Sequence, residues 1–88
     1  MKEKELEKIF KALGNRRRLA IITFIKKKKR ANVGEIAESI KLSFKSTSRH
    51  LAVLSSAEIL EKEQSSLYNF YSLSSDQAEI VKKIIGLI

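Results

Sequence analysis

The sequence predicts a mostly α-helical domain with one small β-hairpin, and three observations support this fold class. Apolar residues recur at helical spacing in most of the chain. The chain has no proline, so nothing interrupts these helices. Only the segment 67–73 is rich in strand-forming residues, and a turn precedes it. A length of 88 residues predicts a single domain, 1–88.

The first two helices are predicted over about 2–13 and 16–28. Gly14 ends the first helix, and Asn15 is suited to cap the second. The second helix is apolar on nearly every side, which places it at the centre of the fold. The first helix has one apolar stripe, made of Leu6, Ile9, Phe10 and Leu13.

The next two helices form a predicted helix-turn-helix over about 33–57. Asn32 and Glu35 resemble a capping box at its start. Ser43 is suited to cap a second, longer helix that begins at Phe44. One face of that helix can pack on a core through Thr47, Leu51 and Leu54. Its other edge carries small hydroxyls and cations, namely Lys45, Ser46, Ser48 and Arg49.

A β-hairpin is predicted over about 60–73, with a turn at Ser65 and Ser66. A last helix follows over about 75–87, where Ser74 and Gln77 fit a capping box. A helix-turn-helix followed by a hairpin is the winged helix-turn-helix arrangement. The prediction is therefore about five helices and a two-stranded wing.

The distribution of charge predicts a polyanionic partner. The net charge is +8, but residues 1–50 carry +10 and residues 51–88 carry −2. An excess confined to one part of the chain is typical of a surface that contacts nucleic acid. A helix with a buried back and a short polar, cationic edge suits the DNA major groove. The predicted partner is double-stranded DNA.

The predicted DNA-contacting residues lie in three segments of the chain. Lys45, Ser46 and Arg49 are the base-edge candidates, because lysine and arginine reach guanine O6 and N7. Several alternatives stay open: Arg18 binds phosphate or is structural, Phe44 contacts a thymine methyl or folds against Leu42, and His50 packs or contacts phosphate. The full set is Arg16, Arg17, Arg18, Ser43, Phe44, Lys45, Ser46, Ser48, Arg49, His50 and Lys62.

The chain resembles winged-helix repressors of the ArsR type over about residues 6–74. The resemblance is carried by the runs 13–19 (LGNRRRL), 33–37 (VGEIA) and 48–54 (SRHLAVL). It implies a homodimeric transcriptional regulator whose first and last helices form the dimer interface. The matching surfaces in this sequence are Leu6, Ile9, Phe10, Leu13, Ile80, Val81, Ile84 and Ile85.

The chain departs from that family at the positions that sense metals. Many members bind metals through cysteines, or through histidine and acidic residues on the last helix. This chain has no cysteine, and its last helix offers only Asp76 and Glu79. We therefore expect no metal and no metal sensing. The predicted wing also contains Glu61 and Glu63 where family wings often carry arginine, so the recognition helix is expected to make most of the DNA contact.

Other classes of function fit less well. One histidine, no cysteine and no glycine-rich phosphate loop argue against an enzyme or a bound cofactor. The sequence shows no signal peptide and no membrane-spanning run, so a cytoplasmic protein without membrane contact is expected. The prediction is a sequence-specific repressor acting as a homodimer. The alternative is a winged-helix module that binds protein or RNA.

Overall fold

The computed structural model describes residues 1–88 and shows five helices and a three-stranded antiparallel sheet, which confirms the predicted winged helix-turn-helix class. The strand order is β1-β3-β2. In chain order the elements are α1 (Glu3–Leu13), α2 (Arg16–Lys28), β1 (Ala31–Asn32), α3 (Val33–Ile40), α4 (Phe44–Ser56), β2 (Leu60–Ser65), β3 (Tyr68–Leu73) and α5 (Glu79–Ile85).

Helix α2 lies at the centre of the core, as its apolar sequence predicts. Ile21, Ile22 and Ile25 on this helix are fully buried. They share one cluster of seventeen buried residues with Ile36 of α3 and with residues of every other helix. Burying a side chain of this size contributes about 1.5–3 kcal/mol, so α2 is the main support for the helix-turn-helix.

The two helices of the helix-turn-helix are held by local hydrogen bonds at their ends. Asn32 Oδ1 accepts from the Glu35 N–H, and Glu35 Oε1 accepts from the Asn32 N–H, both at 2.9 Å, which completes the predicted capping box. At the other end of α3, Lys41 adopts the left-handed conformation. The Lys41 and Leu42 N–H groups donate to the carbonyls of Glu38 and Ala37, the bond pair of a Schellman motif. These backbone hydrogen bonds therefore fix the turn that sets the direction of α4 relative to α3.

The sheet has one more strand than the two-stranded wing that was predicted. Ala31 pairs with Tyr71, and Asn32 pairs with Phe70. Two residues are too few to show the alternation that identifies a strand, and asparagine is a poor strand former. The tight turn of the hairpin falls at Ser66 and Leu67, one residue later than expected.

Helix α5 is shorter than predicted, because it begins at Glu79 instead of Ser75. The Ser75 N–H donates to Glu61 Oε1 at 2.6 Å, and the Asp76 N–H donates to Ser74 Oγ at 3.3 Å. The chain bends at Ser75 and Asp76, and α5 starts after Ala78 without a side-chain cap, so the predicted capping box at Ser74 does not form. No helix combines the length and the apolar character needed to cross a bilayer.

Candidate nucleic-acid interface

Helix α4 is anchored by one face and open on the other. Thr47, Leu51 and Leu54 are fully buried against the core, as the sequence predicted for its back face. The hydroxyl of Thr47 has no hydrogen-bond partner, so this side chain acts as a packing residue. The opposite edge of the helix is left free for a partner.

The predicted reading edge lies on that free side. Lys45 and Arg49 are exposed, and Ser46 and Ser48 are half-buried. Ser43 Oγ accepts from the Ser46 N–H at 3.1 Å, which caps the helix. The earliest N–H groups of a helix have no partner within it, so the start of α4 presents backbone donors beside Lys45. This arrangement suits phosphate and base acceptors.

The three consecutive arginines at the start of α2 differ in what they contact. Arg16 and Arg17 are exposed and form no ion pair. Arg18 is half-buried; its Nε donates to the Ala12 carbonyl at 2.7 Å, and its Nη2 donates to the Lys11 carbonyl at 2.8 Å. Of the two roles open for Arg18, the structure favours the structural one, whereas Arg16 and Arg17 are free to meet phosphate.

His50 is the third partner of Arg18. Arg18 Nη1 lies 3.2 Å from His50 Nδ1, and because a guanidinium can only donate, Nδ1 accepts and Nε2 carries the proton. Burial lowers the pKa of His50, and the charges of Arg18 and Arg17 lower it further. The imidazole is therefore neutral at pH 7. The Arg18 bridge, as we call these three hydrogen bonds, joins the end of α1 to the recognition helix.

The register of the wing separates its charges onto two faces. Side chains alternate along a strand, so Lys62 and Gln64 share the face of buried Leu60, whereas Glu61 and Glu63 lie on the other face. Glu63 pairs with Arg30 at 3.2 Å, and Glu61 accepts from the Ser75 N–H. Both wing carboxylates therefore have partners within the chain, and the wing should repel DNA less than its acidic composition indicates. Exposed Lys62 lies on the opposite face from both carboxylates.

Two residues beside the recognition helix were missed at the sequence level. Leu67 and Tyr68 at the wing tip line a groove together with Phe44, the first residue of α4. Phe44 is 63% exposed, so it does not fold away into the core. The available signal was a leucine directly after the turn predicted at Ser65 and Ser66, because connecting segments usually lie on the protein surface.

The two predicted dimer stripes are only partly free. Ile9, Leu13, Val81 and Ile85 are buried in the core of their own chain. Leu6, Ile80 and Ile84 are half-buried, and Phe10 is 49% exposed. The surface that remains for a second chain is this smaller set of four residues.

No group of three or more histidine, aspartate or glutamate side chains converges anywhere in the chain. The only histidine already accepts a hydrogen bond from Arg18. The chain has no cysteine to supply thiolates.

Comparison with known proteins places this geometry among bacterial regulators. A sequence model described as "Bacterial regulatory protein, arsR family" matches residues 15–62. Reduced HlyU from Vibrio cholerae is 30% identical, with a TM-score of 0.81 over 96% of this chain and 84% of that one. The transcriptional repressor PagR of Bacillus anthracis is 26% identical, with a TM-score of 0.78 over 96% of this chain and 92% of that one.

A homodimeric winged helix-turn-helix DNA-binding domain from Mycobacterium bovis shows the same fold. Its TM-score is 0.82 at 24% identity, over 96% of this chain and 74% of that one. The curated protein sequences contain no match to the chain.

Proposed function

Because this chain belongs to the arsR family of bacterial regulatory proteins, we propose that it is a homodimeric, sequence-specific repressor that binds double-stranded DNA without sensing a metal. The family and the winged helix-turn-helix fold make it a DNA-binding transcription regulator. The proposal adds the oligomeric state, the direction of regulation and the residues that contact DNA. A DNA-binding regulator of this family would act in the cytoplasm.

The observation that carries the proposal is the placement of α4. Its back is fully buried, its start is capped by Ser43, and its free edge holds Lys45 and Arg49. An arginine can bond both O6 and N7 of guanine, and each such pair contributes about 1–3 kcal/mol of discrimination. We assign base contacts to Lys45 and Arg49, with Ser46 and Ser48 beside them.

Phosphate contacts are assigned to Arg16, Arg17 and Ser43. Both arginines are exposed, and all three residues lie at the start of a helix, where backbone donors already favour anions. Lys62 of the wing adds a further cation on the face away from the wing carboxylates. Contacts of this kind position the protein on the duplex but do not select a sequence.

A second copy of the chain would cover the exposed parts of α1 and α5. Phe10 is a large aromatic residue left half exposed, and Leu6, Ile80 and Ile84 are incompletely buried. The homodimeric mycobacterial domain of the same fold supports this assembly. The repressor PagR supports repression, which follows when a bound dimer blocks access to a promoter.

The central experiment selects preferred duplexes from a random pool and then measures their affinity across a salt series. Five assigned cations in each protomer set an upper limit of ten neutralised phosphates, so the slope of log affinity against log salt should be negative and no steeper than about −9. Lys45→Ala and Arg49→Ala should each weaken binding to the selected duplex by at least about 30-fold, because a dimer loses two contacts of about 1–3 kcal/mol each. Lys4→Ala, which removes an exposed cation from α1, is the matched control.

Two further measurements test the finer claims. Sedimentation should show that the wild-type protein is a dimer, and Phe10→Asp should make it monomeric. Val53→Asp changes another exposed apolar residue and should leave the dimer intact. Zn²⁺ should leave the affinity for DNA unchanged. A flat salt response would instead indicate a protein-binding module, and a wild-type monomer at micromolar concentration would refute the dimer.

A further inference from the structure

Three large apolar side chains gather at the surface between the start of α4 and the wing tip. Phe44, Leu67 and Tyr68 are 63%, 91% and 57% exposed, and they line one groove of about 160 Å³. No charged residue lines this groove. Single exposed apolar residues are ordinary, but a group of them on a surface otherwise built for polar contact marks a binding site.

The groove is continuous with the reading edge of the recognition helix. Phe44 lies one helical turn before Ser48 of the reading edge, so the two side chains share a face of α4 and a duplex that contacts Ser48 also covers Phe44. The wing glutamates are not among the lining residues, and Glu63 is paired with Arg30. Tyr68 shares a face of the wing with Glu63, so the carboxylate on the groove side is one that Arg30 already pairs with.

The wing tip is held in place before any partner binds. The rings of Tyr68 and Phe70 lie 6.2 Å apart, and the guanidinium of Arg30 lies 3.8 Å from the centre of the Phe70 ring. The same guanidinium bonds Glu63 on the neighbouring strand at 3.2 Å. These contacts stiffen the hairpin, and a pre-ordered surface loses less entropy on binding.

We propose that this groove holds one strand of the bound duplex, with Phe44 against a thymine methyl and Leu67 and Tyr68 against deoxyribose of the same strand. This inference rests on the proposed function. The thymine methyl is the apolar group that the major-groove edge offers, and phenylalanine is among the side chains that contact it. The groove supplies selectivity for thymine that salt does not screen.

The salt series separates this apolar contact from the ionic ones. Leu67→Ser should lower affinity for the selected duplex roughly tenfold for a dimer, from two partly buried leucines, with an unchanged slope. Leu67→Lys should steepen the slope by up to about two, one for each protomer, while preference for the selected sequence falls. Leu67→Met, which keeps an apolar side chain of similar size at the same position, is the matched control and should retain most of the affinity.

The thymine contact is tested by exchanging thymine for uracil, which removes only the methyl group. At one thymine of the half-site, this exchange should weaken DNA binding by the wild-type protein about threefold. The same exchange should leave DNA binding by Phe44→Ala unchanged. Equal losses in both proteins, or no loss at any thymine, would overturn the assignment of Phe44.

If wild type binds duplex DNA with a steep salt slope but Leu67→Ser binds equally well, the groove proposal is wrong and the proposed function stands. If wild type binds no duplex, both are wrong.

Discussion

The Arg18 bridge predicts that Arg18 stabilises the fold, whereas its neighbours Arg16 and Arg17 do not. Replacing Arg18 by methionine keeps the aliphatic stem and removes all three donors. The bond to the Lys11 carbonyl is solvent-exposed, so water replaces it after the change. The bonds to the Ala12 carbonyl and to His50 are partly buried, at 2.7 and 3.2 Å. A bond from a charged donor contributes about 1.5–3 kcal/mol, and partial exposure places these two at the low end, for a total of about 2–3 kcal/mol.

Thermal unfolding followed by circular dichroism measures this loss at a fixed protein concentration, because dimerisation makes the midpoint concentration-dependent. For a domain of this size, 1 kcal/mol shifts Tm by about 4–8 °C, so Arg18→Met should lower it by roughly 10–20 °C. Arg17→Met removes the same charge from the same turn and should change stability by less than about 0.5 kcal/mol. Arg18→Lys keeps the charge but has a single donor nitrogen in place of three, so it should recover only part of the loss. Equal effects at Arg17 and Arg18 would refute the structural role of the bridge.

Four other predictions concern stability. Thr47→Val should raise the free energy of unfolding by about 1 kcal/mol in urea titration, because it removes a buried hydroxyl without a partner; a loss of stability would mean that the hydroxyl is bonded. Asn32→Ala should cost about 1 kcal/mol through the lost cap of α3, and Asn32→Asp should not. The pKa of His50 is lowered on folding, so the unfolded chain binds more protons and Tm should fall as the pH drops below about 6.5, a dependence that His50→Gln should flatten. Burial raises the pKa of Tyr71, so Tm should also fall as the pH rises above about 10, and Tyr71→Phe should remove that change.

Most of the architecture follows from local patterns in the sequence. The stripe of α1, the all-round apolar character of α2 and the caps at Asn15 and Ser43 identify the helices, because helical periodicity and capping act over a few residues. The buried back of α4 follows from the spacing of Thr47 and Leu51. The hairpin also follows, because a turn precedes the strand formers of 67–73.

Contacts between distant residues explain what the sequence did not predict. The start of α5 depends on a bond from the Ser75 N–H to Glu61 in another element. The role of Arg18 depends on carbonyls of the preceding helix and on His50, which is 32 residues away along the chain. No local pattern encodes such pairings. The grouping of Phe44 with Leu67 likewise requires the tertiary fold.

The alternation of charge along β2 makes the wing sensitive to insertions and deletions. Glu61 and Glu63 share one face while Lys62 and Gln64 share the other, and a strand repeats every two residues. Inserting one residue near the start of β2 would move both carboxylates to the face that now holds Lys62, with no change in net charge. Relatives whose β2 differs in length by one residue should therefore differ in DNA affinity more than their net charges predict. Differences of two residues preserve the face and should be tolerated.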